Sequence, residues 1–513
     1  MDRSEPGPPK GSKASQPGES GSDFLQLDMG RAPVGGRTAW LVDQLRSAIA
    51  DGRLPVGSRL PASRVLAEEL GVTRGVVTEA YRRLSESGQT TGHGRRGTTV
   101  VAAPSPPRAP RVKPRAPRAV AAEAAAGDGF FARGDREGAV DALRALPCRI
   151  DLSPGVPDLA AFPRTAWLRA ERSVLAGLDP ADFGYGNPQG APALRRAVVG
   201  WLARNRGIRA DPAEVVVVAG VAQALALLAQ VLRGTGVDRI AVEDPGSLGA
   251  RQQLEYGGHT TVPVPVDAGG LDVAALRATG APAVLLTPAH QFPTGTVLDG
   301  DRRRDLLRWA ADGGIVVEDD YDAEHRYDRP PVPALRSLLP DAVCYAGSVS
   351  KLLAPALRVG WLLVPPHLLP ATVTAKRYAD LGNGVLTQLV LARLMDSGEL
   401  ERQLRHVRRR HRRRRDEMLR AIGAHLPGAR VHGAAAGLHL MVTFDADPPG
   451  FRDTALAAAA LAHGVKVHPL SWHRVAPGPP GVVLGYAAGP AHAIEEGVAL
   501  LGTALREVRR QGA

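Results

Sequence analysis

From residue 149 onward, five short apolar runs, "EVVVVAG", "RIAVEDP", "APAVLLTP", "GGIVVEDDYD" and "AVCYAGSVSK", alternate with segments of helical character. No other feature narrows the fold as much. Short, uniformly apolar β-rich runs separated by helices predict a mostly parallel sheet covered on both faces. Each run ends in polar or small residues, and in such sheets ligands collect beyond the carboxyl ends of the strands. Near the C-terminus "GLHLMVTF", "GVKVHPLS" and "GVVLGYAA" alternate with helices, which predicts a smaller α+β subdomain over about 400–513.

A chain of 513 residues exceeds what one core supports, so further domains are expected ahead of this α/β region at 148–513. Residues 1–22 have the composition of a disordered tail and no apolar core of a signal peptide. Over 101–147 a Pro/Arg-rich and then Ala-rich stretch reads as a linker. The one span with membrane-like hydropathy, "VVVVAGVAQALALLAQVL", opens on four valines and carries Gly220, Gln223 and Gln230, so strand, turn and buried helix are expected instead. Cys148 and Cys344 lack ligand-like spacing, which argues against a disulfide scaffold or a metal site and for a reducing cytoplasm.

Residues 23–100 hold "LPASRVLAEELGVTRGVVTEAYRRLSESGQTTGHGRRGTTVV". The expected order is a short helix with Val65, Leu66 and Leu70 on one side, a tight turn, a second helix capped at Thr73, and a hairpin with glycine at its tip. Helix, turn, helix and wing is an arrangement that places a recognition helix in the major groove of double-stranded DNA. Thr73, Arg74 and Gly75 stand at that helix's N-terminus and Arg64 on the helix before it. His93, Gly94, Arg95 and Arg96 form the wing, suited to phosphate or minor-groove contact. A net charge of +12 suits a polyanionic partner.

Lys351, in "SVSKLLAPALR", sits among apolar residues, where an ammonium is costly to desolvate. A shielded lysine amine is what imine formation with an aldehyde requires. Were the aldehyde pyridoxal 5′-phosphate (PLP), a carboxylate, a phenol and phosphate donors would also be needed. "VVEDDYD" offers Asp319 or Asp320 for the ring nitrogen and Tyr321 for the ring oxygen. The turn and helix start in "VVVVAGVAQAL" offer free N–H groups, and Ser348, Ser350 and Arg358 further donors.

In order along the chain these motifs carry two resemblances. "LPASRVLAEELGVTRGVVTEAYRRL" with its Gly-rich wing resembles the winged-helix domain of the GntR superfamily. "YGNPQG", "HQFPTG", "EDDYD", "SVSK" and Arg358 together resemble fold-type I aminotransferases. The combination is similar to MocR-type regulators. The resemblance implies Lys351 as the Schiff-base lysine, Asp319 as the pyridine partner and Tyr321 on the ring oxygen. It implies Ser348, Arg358 and the Val221/Ala222 backbone around the phosphate, and Tyr185 reaching across from the partner of a head-to-tail homodimer.

Departures from the aminotransferase pattern fall on substrate handling. Val482 and Val483 stand where an arginine for the substrate carboxylate is usual, with Arg474 the nearest substitute. Ser247 replaces a ring-stacking aromatic and Phe292 an asparagine, with His290 taking over its polar contact. The expected function is therefore a DNA-binding regulator whose effector is PLP, similar to PdxR-type members that control vitamin B6 synthesis. The alternatives are a regulator that also needs an amino acid or amine, a working aminotransferase, or a cofactor-free scaffold. The arginine run "RQLRHVRRRHRRRRDEMLRA" reads as a solvated helix, with a nucleic-acid patch as the alternative.

Overall fold

The computed structural model describes residues 27, 29–33, 35–92, 97–102, 129–133, 138–327, 332–445 and 450–512. They fall into two compact units divided between Arg111 and Val112. The expected tail, most of the expected linker and the wing residues His93, Gly94, Arg95 and Arg96 lie outside the described residues.

In the first unit α1 (Arg37–Ala50), β1 (Arg59–Leu60), α2 (Ser63–Glu69), α3 (Arg74–Glu86), β2 (Thr90–Gly92) and β3 (Thr98–Val100) follow in order. The strands form an antiparallel sheet, β1-β3-β2. Leu41, Leu45, Leu66, Val77 and Leu84 are fully buried between helices and sheet. Gly71, at φ +61°, makes the left-handed turn between α2 and α3 that a β-carbon would oppose. Val65 corrects the expected stripe, being 45% exposed while Leu66 and Ala67 are buried. A seven-residue helix has fewer than two turns, so only the face around 66, 67 and 70 reaches the core.

The second unit begins before its expected boundary. Phe131 and Leu143 share a core with Trp472, whose indole N–H donates to the Phe131 carbonyl at 2.9 Å. Residues 129–133 and 138–147 are thus folded structure, not linker; their few large side chains gave no helical period to read. Strand β4 (Ile150–Asp151) comes next. The large sheet takes β5 (Val215–Val218), β6 (Arg239–Asp244), β7 (Thr260–Asp267), β8 (Gly270–Leu271), β9 (Ala283–Leu286), β10 (Ile315–Asp320), β11 (Val343–Ser348) and β12 (Gly360–Leu363). Their spatial order is β5-β12-β11-β10-β9-β6-β7-β8. Pairs β6–β7, β6–β9, β9–β10 and β10–β11 are parallel, whereas β12 runs antiparallel to both neighbours. The membrane-like span divides, as expected, into β5 and the helix Val221–Gly234. No helix among the described residues is long and apolar enough to cross a membrane.

The carboxyl-terminal part holds β13 (Ala429–His432), β14 (His439–Phe444), β15 (Val465–Lys466), β16 (His468–Pro469) and β17 (Gly481–Gly485). Four of them form an antiparallel sheet, β13-β14-β17-β16, while β15 pairs with β4. The helix Glu399–His425 carries the arginine run; Arg402, Arg405, Arg409, Arg412, Arg413 and Arg420 are exposed, as a solvated helix requires, but four other arginines turn inward. Arg408 donates to the Glu324 carbonyl at 2.5 Å and Arg410 to the Asp158 carboxylate at 2.6 Å. Arg414 joins Asp158 at 3.0 Å and the Ala487 carbonyl. Arg415 donates to the Ala434 carbonyl and lies over the Tyr327 ring, 4.9 Å from its centroid. These four guanidinium groups bind loop carbonyls and one buried carboxylate.

Candidate functional site

The sheet register gathers the site. Gly360 on β12 pairs with Ser348 on β11 and with Val218 on β5. The residues just past those positions, Lys351, Arg358 and the start of the helix Val221–Gly234, therefore meet at one edge. Gly220, at φ +88°, turns the chain into that helix without a side-chain cap, leaving the Val221 and Ala222 N–H groups at its positive end. The Arg358 guanidinium lies over the same turn: a β-carbon on Gly220 would be 3.5 Å from Nη1. Ser348 and Ser350 are half-buried beside it, and the Ser350 N–H donates to the Ser348 hydroxyl at 3.4 Å. Together these groups form a cradle of donors suited to a phosphate.

Strand alternation separates the two aspartates of β10. Asp320 points into the opposite layer, where it meets Arg206 at 2.5 Å and accepts from the Tyr345 hydroxyl at 2.5 Å. Asp319 points to the cradle side, and its buried Oδ1 has no hydrogen-bond partner. Burial, then the charge of Asp320, pushes the Asp319 carboxyl up to about 7, against the opposing pull of Lys351. An orphaned buried acceptor fits a group that brings its own N–H, as a pyridinium does.

Lys351 is half-buried, and its Nζ donates to the Gly155 carbonyl at 2.5 Å. Burial pulls its pKa below 10.5, while Asp322 and Asp319 hold it up. The neutral amine is the nucleophile. The rate of aldehyde capture should therefore inflect below pH 10.5. Asp319→Asn should move that inflection lower still, because it removes a charge that favours the ammonium. Stopped-flow absorbance across pH measures both shifts.

His290 sits 3.0 Å from the Tyr321 hydroxyl and 3.0 Å from Asp322, all through Nδ1. With Nδ1–H committed to the carboxylate, the phenol oxygen can share that proton and keep its own O–H for the cavity. His290 thus backs Tyr321 through Nδ1, while its buried Nε2 has no hydrogen-bond partner. Burial opposes ionisation of Asp322, yet His290 and its neighbours hold that carboxyl below the usual range. His439 brings a third ligand-type atom within 4.8 Å of this pair, but its Nε2 already faces the Pro293 carbonyl at 3.2 Å.

Where an arginine for a substrate carboxylate was expected to be missing, Val483 is fully buried in an apolar cluster with Met441, Leu470 and Phe292. Arg474 is no substitute, since its guanidinium donates to the Pro479 carbonyl at 2.5 Å within its own loop. Ser247 caps the helix Leu248–Tyr256, accepting from Ala250 N–H at 3.3 Å. One turn on, Arg251 lines the small cavity that also contains Ser247, Glu243, Thr287 and Asp319. It was missed because only Ser247 drew attention in "EDPGSLGAR"; the spacing i, i+4 on one helix was the available signal. Tyr185 is 97% exposed and stays apart from this cluster within one chain.

In the first unit Arg64, Thr73, Arg74, Gly75 and Thr78 are exposed, whereas Val77 is buried and Val76 half-buried. Thr73 occupies the cap position of α3 but makes no side-chain capping bond, which leaves its hydroxyl available. Arg74 donates to the Ser63 hydroxyl, at 3.4 Å. We expect Arg74→Ala to cost about 1–3 kcal/mol of discrimination between DNA sequences, a loss that competition binding would register.

A wing-bearing helix-turn-helix and an α/β domain with a lysine, a carboxylate and a donor cradle at one sheet edge define a class: a DNA-binding module joined to an aminotransferase-like domain. Comparison agrees. Residues 38–100 match the gntR family of bacterial regulatory proteins, and residues 149–499 match aminotransferase class I and II. The chain is 32% identical over 482 residues to the probable rhizopine catabolism regulatory protein MocR of Rhizobium meliloti, covering 92% of this chain and 94% of that one. It is 33% identical over 422 residues to the pyridoxine biosynthesis transcriptional regulator PdxR of Corynebacterium glutamicum, covering 82% and 86%. Among solved structures it is similar to the α-aminoadipate aminotransferase LysN of Thermus thermophilus, complexed with N-(5′-phosphopyridoxyl)-L-leucine. That likeness has a TM-score of 0.67 at 28% identity and covers 74% of this chain and 97% of that one. The chain belongs to the MocR/PdxR family of transcriptional regulators, with a GntR-type helix-turn-helix and an aminotransferase class I and II domain.

Proposed function

We propose that this protein is a sequence-specific transcriptional regulator that holds PLP on Lys351 and responds to it as an effector, controlling genes of vitamin B6 metabolism. PLP supplies an aldehyde for the lysine and a phosphate for the cradle. In this reading Asp319 receives the pyridine nitrogen, Tyr321 faces the ring oxygen with His290 behind it, and Val221, Ala222, Ser348, Ser350 and Arg358 hold the phosphate. Tyr185 is assigned to the partner subunit's site in a head-to-tail homodimer.

The observation that carries the reading is the contrast between two halves of one site. The groups facing a cofactor are complete, including the unpaired Asp319 Oδ1, whereas Val483 and its apolar neighbours replace the usual carboxylate-binding arginine. A sensor needs only a ligand and two states of unequal affinity; turnover needs binding energy directed at a substrate's transition state. The similarity to the pyridoxine biosynthesis regulator supports the choice of B6 genes. A second reading, an amino acid or amine effector acting through PLP, is favoured by Arg251 alone, which lines the cavity beside Asp319.

Adding the common amino acids to the PLP-loaded protein tests the choice. The absorbance spectrum should persist and no keto acid should form. Conversion of the cofactor to its amine with keto-acid release would make the protein an aminotransferase instead.

A further inference from the structure

Lys376 is 0% exposed, and no step described so far uses it. Its three ammonium protons are all engaged. Nζ lies 2.6 Å from both Asp380 carboxylate oxygens, 2.7 Å from Asn383 Oδ1 and 3.1 Å from Gln223 Oε1. Each of these partners continues to the phosphate cradle or to the turn beside it. Gln223 Oε1 also accepts from the Ala219 N–H at 2.7 Å, and Gln223 Nε2 donates to Asp380 at 2.7 Å. Asn383 Nδ2 donates to the carbonyl of Arg358 at 3.2 Å. Asp380 also accepts from the Gly382 N–H at 2.9 Å.

The network fixes a strained piece of chain. Arg358 at φ 53° and Leu381 at φ 59° are left-handed without being glycine, a conformation that costs roughly 1–2 kcal/mol for an L-residue. Such residues persist only where their surroundings over-determine them. The Lys376–Asp380 pair is a poor source of net stability, since the Asp380 side chain is 31% exposed and water screens the attraction. What the ammonium provides here, and a methionine would not, is three directed bonds joining the turn before the helix Val221–Gly234, the turn at 380–383 and the backbone of Arg358.

We propose that Lys376 is a positioning residue for the anion cradle. It acts through Gln223 and Asn383 to hold the Val221 and Ala222 N–H groups and the Arg358 guanidinium at the spacing of one phosphate. The proposal rests on PLP being the ligand of this site. It predicts a selective defect: the contribution of the ligand's phosphate is lost, while the contribution of its ring and aldehyde remains.

The test compares PLP with pyridoxal, which lacks the phosphate, by absorbance titration of the full chain. Wild type should bind PLP much more tightly than pyridoxal. Lys376→Met should weaken PLP about ten-fold or more, a change of ~1.4 kcal/mol, and leave pyridoxal within about two-fold. Asn383→Ala, which removes the bond to the Arg358 carbonyl and keeps the ion pair, should shift PLP in the same direction by less. It also serves if the lysine variant fails to fold. Equal losses for both ligands would reduce Lys376 to a structural role, and no loss for either would overturn the proposal. A wild type that binds neither ligand would instead remove the PLP reading beneath it.

Discussion

Lys351→Ala is expected to abolish covalent retention of PLP and with it every PLP-dependent change in DNA binding. Of the two amines near the cradle, Lys376 is held by Asp380 and Asn383, which leaves Lys351, whose pKa burial has already lowered, to meet the aldehyde. Removing that amine leaves the cradle of Ser348, Arg358 and the helix start intact, so the phosphate can still dock. Binding should become reversible and lose its imine absorbance band, while unfolding is little affected because the side chain is half-buried and makes one hydrogen bond. Denaturation in the presence and absence of PLP checks the second half: the wild type should gain stability with ligand concentration as binding to the native state requires, and the variant less.

The second large effect is expected behind the site. Arg206 and Asp320 form an ion pair whose side chains are 0% and 1% exposed. Arg206 also donates to the Val332 carbonyl. Arg206→Met should destabilise the second unit by about 3–5 kcal/mol, because it strands a buried carboxylate. Arg206→Met with Asp320→Asn should recover a large part of that loss. The reason for keeping so demanding a pair lies on the other face of β10. Asp320 pins the strand end, and alternation then aims Asp319 at the cradle. Urea unfolding of the two variants measures the energies, and PLP affinity in the double variant shows whether the aim of Asp319 depends on the anchor.

The order of elements and the convergence of Lys351, Asp319, Tyr321 and Arg358 were legible because strand ends announce themselves locally. An apolar run that stops at "EDD" or "SVSK" places its last residues at the sheet edge whatever the rest of the chain does. The choice between Asp319 and Asp320 needed family resemblance, and the alternation of β10 agrees with it. Other features depend on which side of an element meets another, and composition is silent on that. The arginine run has the charge of a solvated face, yet Arg408, Arg410, Arg414 and Arg415 turn inward to carbonyls and Asp158. Phe131 and Leu143 are core residues inside an Ala-rich stretch too sparse to show a period. Lys376, in "TAKRYAD", looks like any helical lysine until Gln223, distant in sequence, and Asn383, beyond the helix end, close around it.

The most direct test is fluorescence anisotropy of a DNA duplex that the protein itself has selected from random sequence, titrated with wild type in the presence and absence of PLP. The two affinities should differ for wild type, and the difference should vanish in Lys351→Ala. Equal affinity with and without PLP in the wild type would contradict the account.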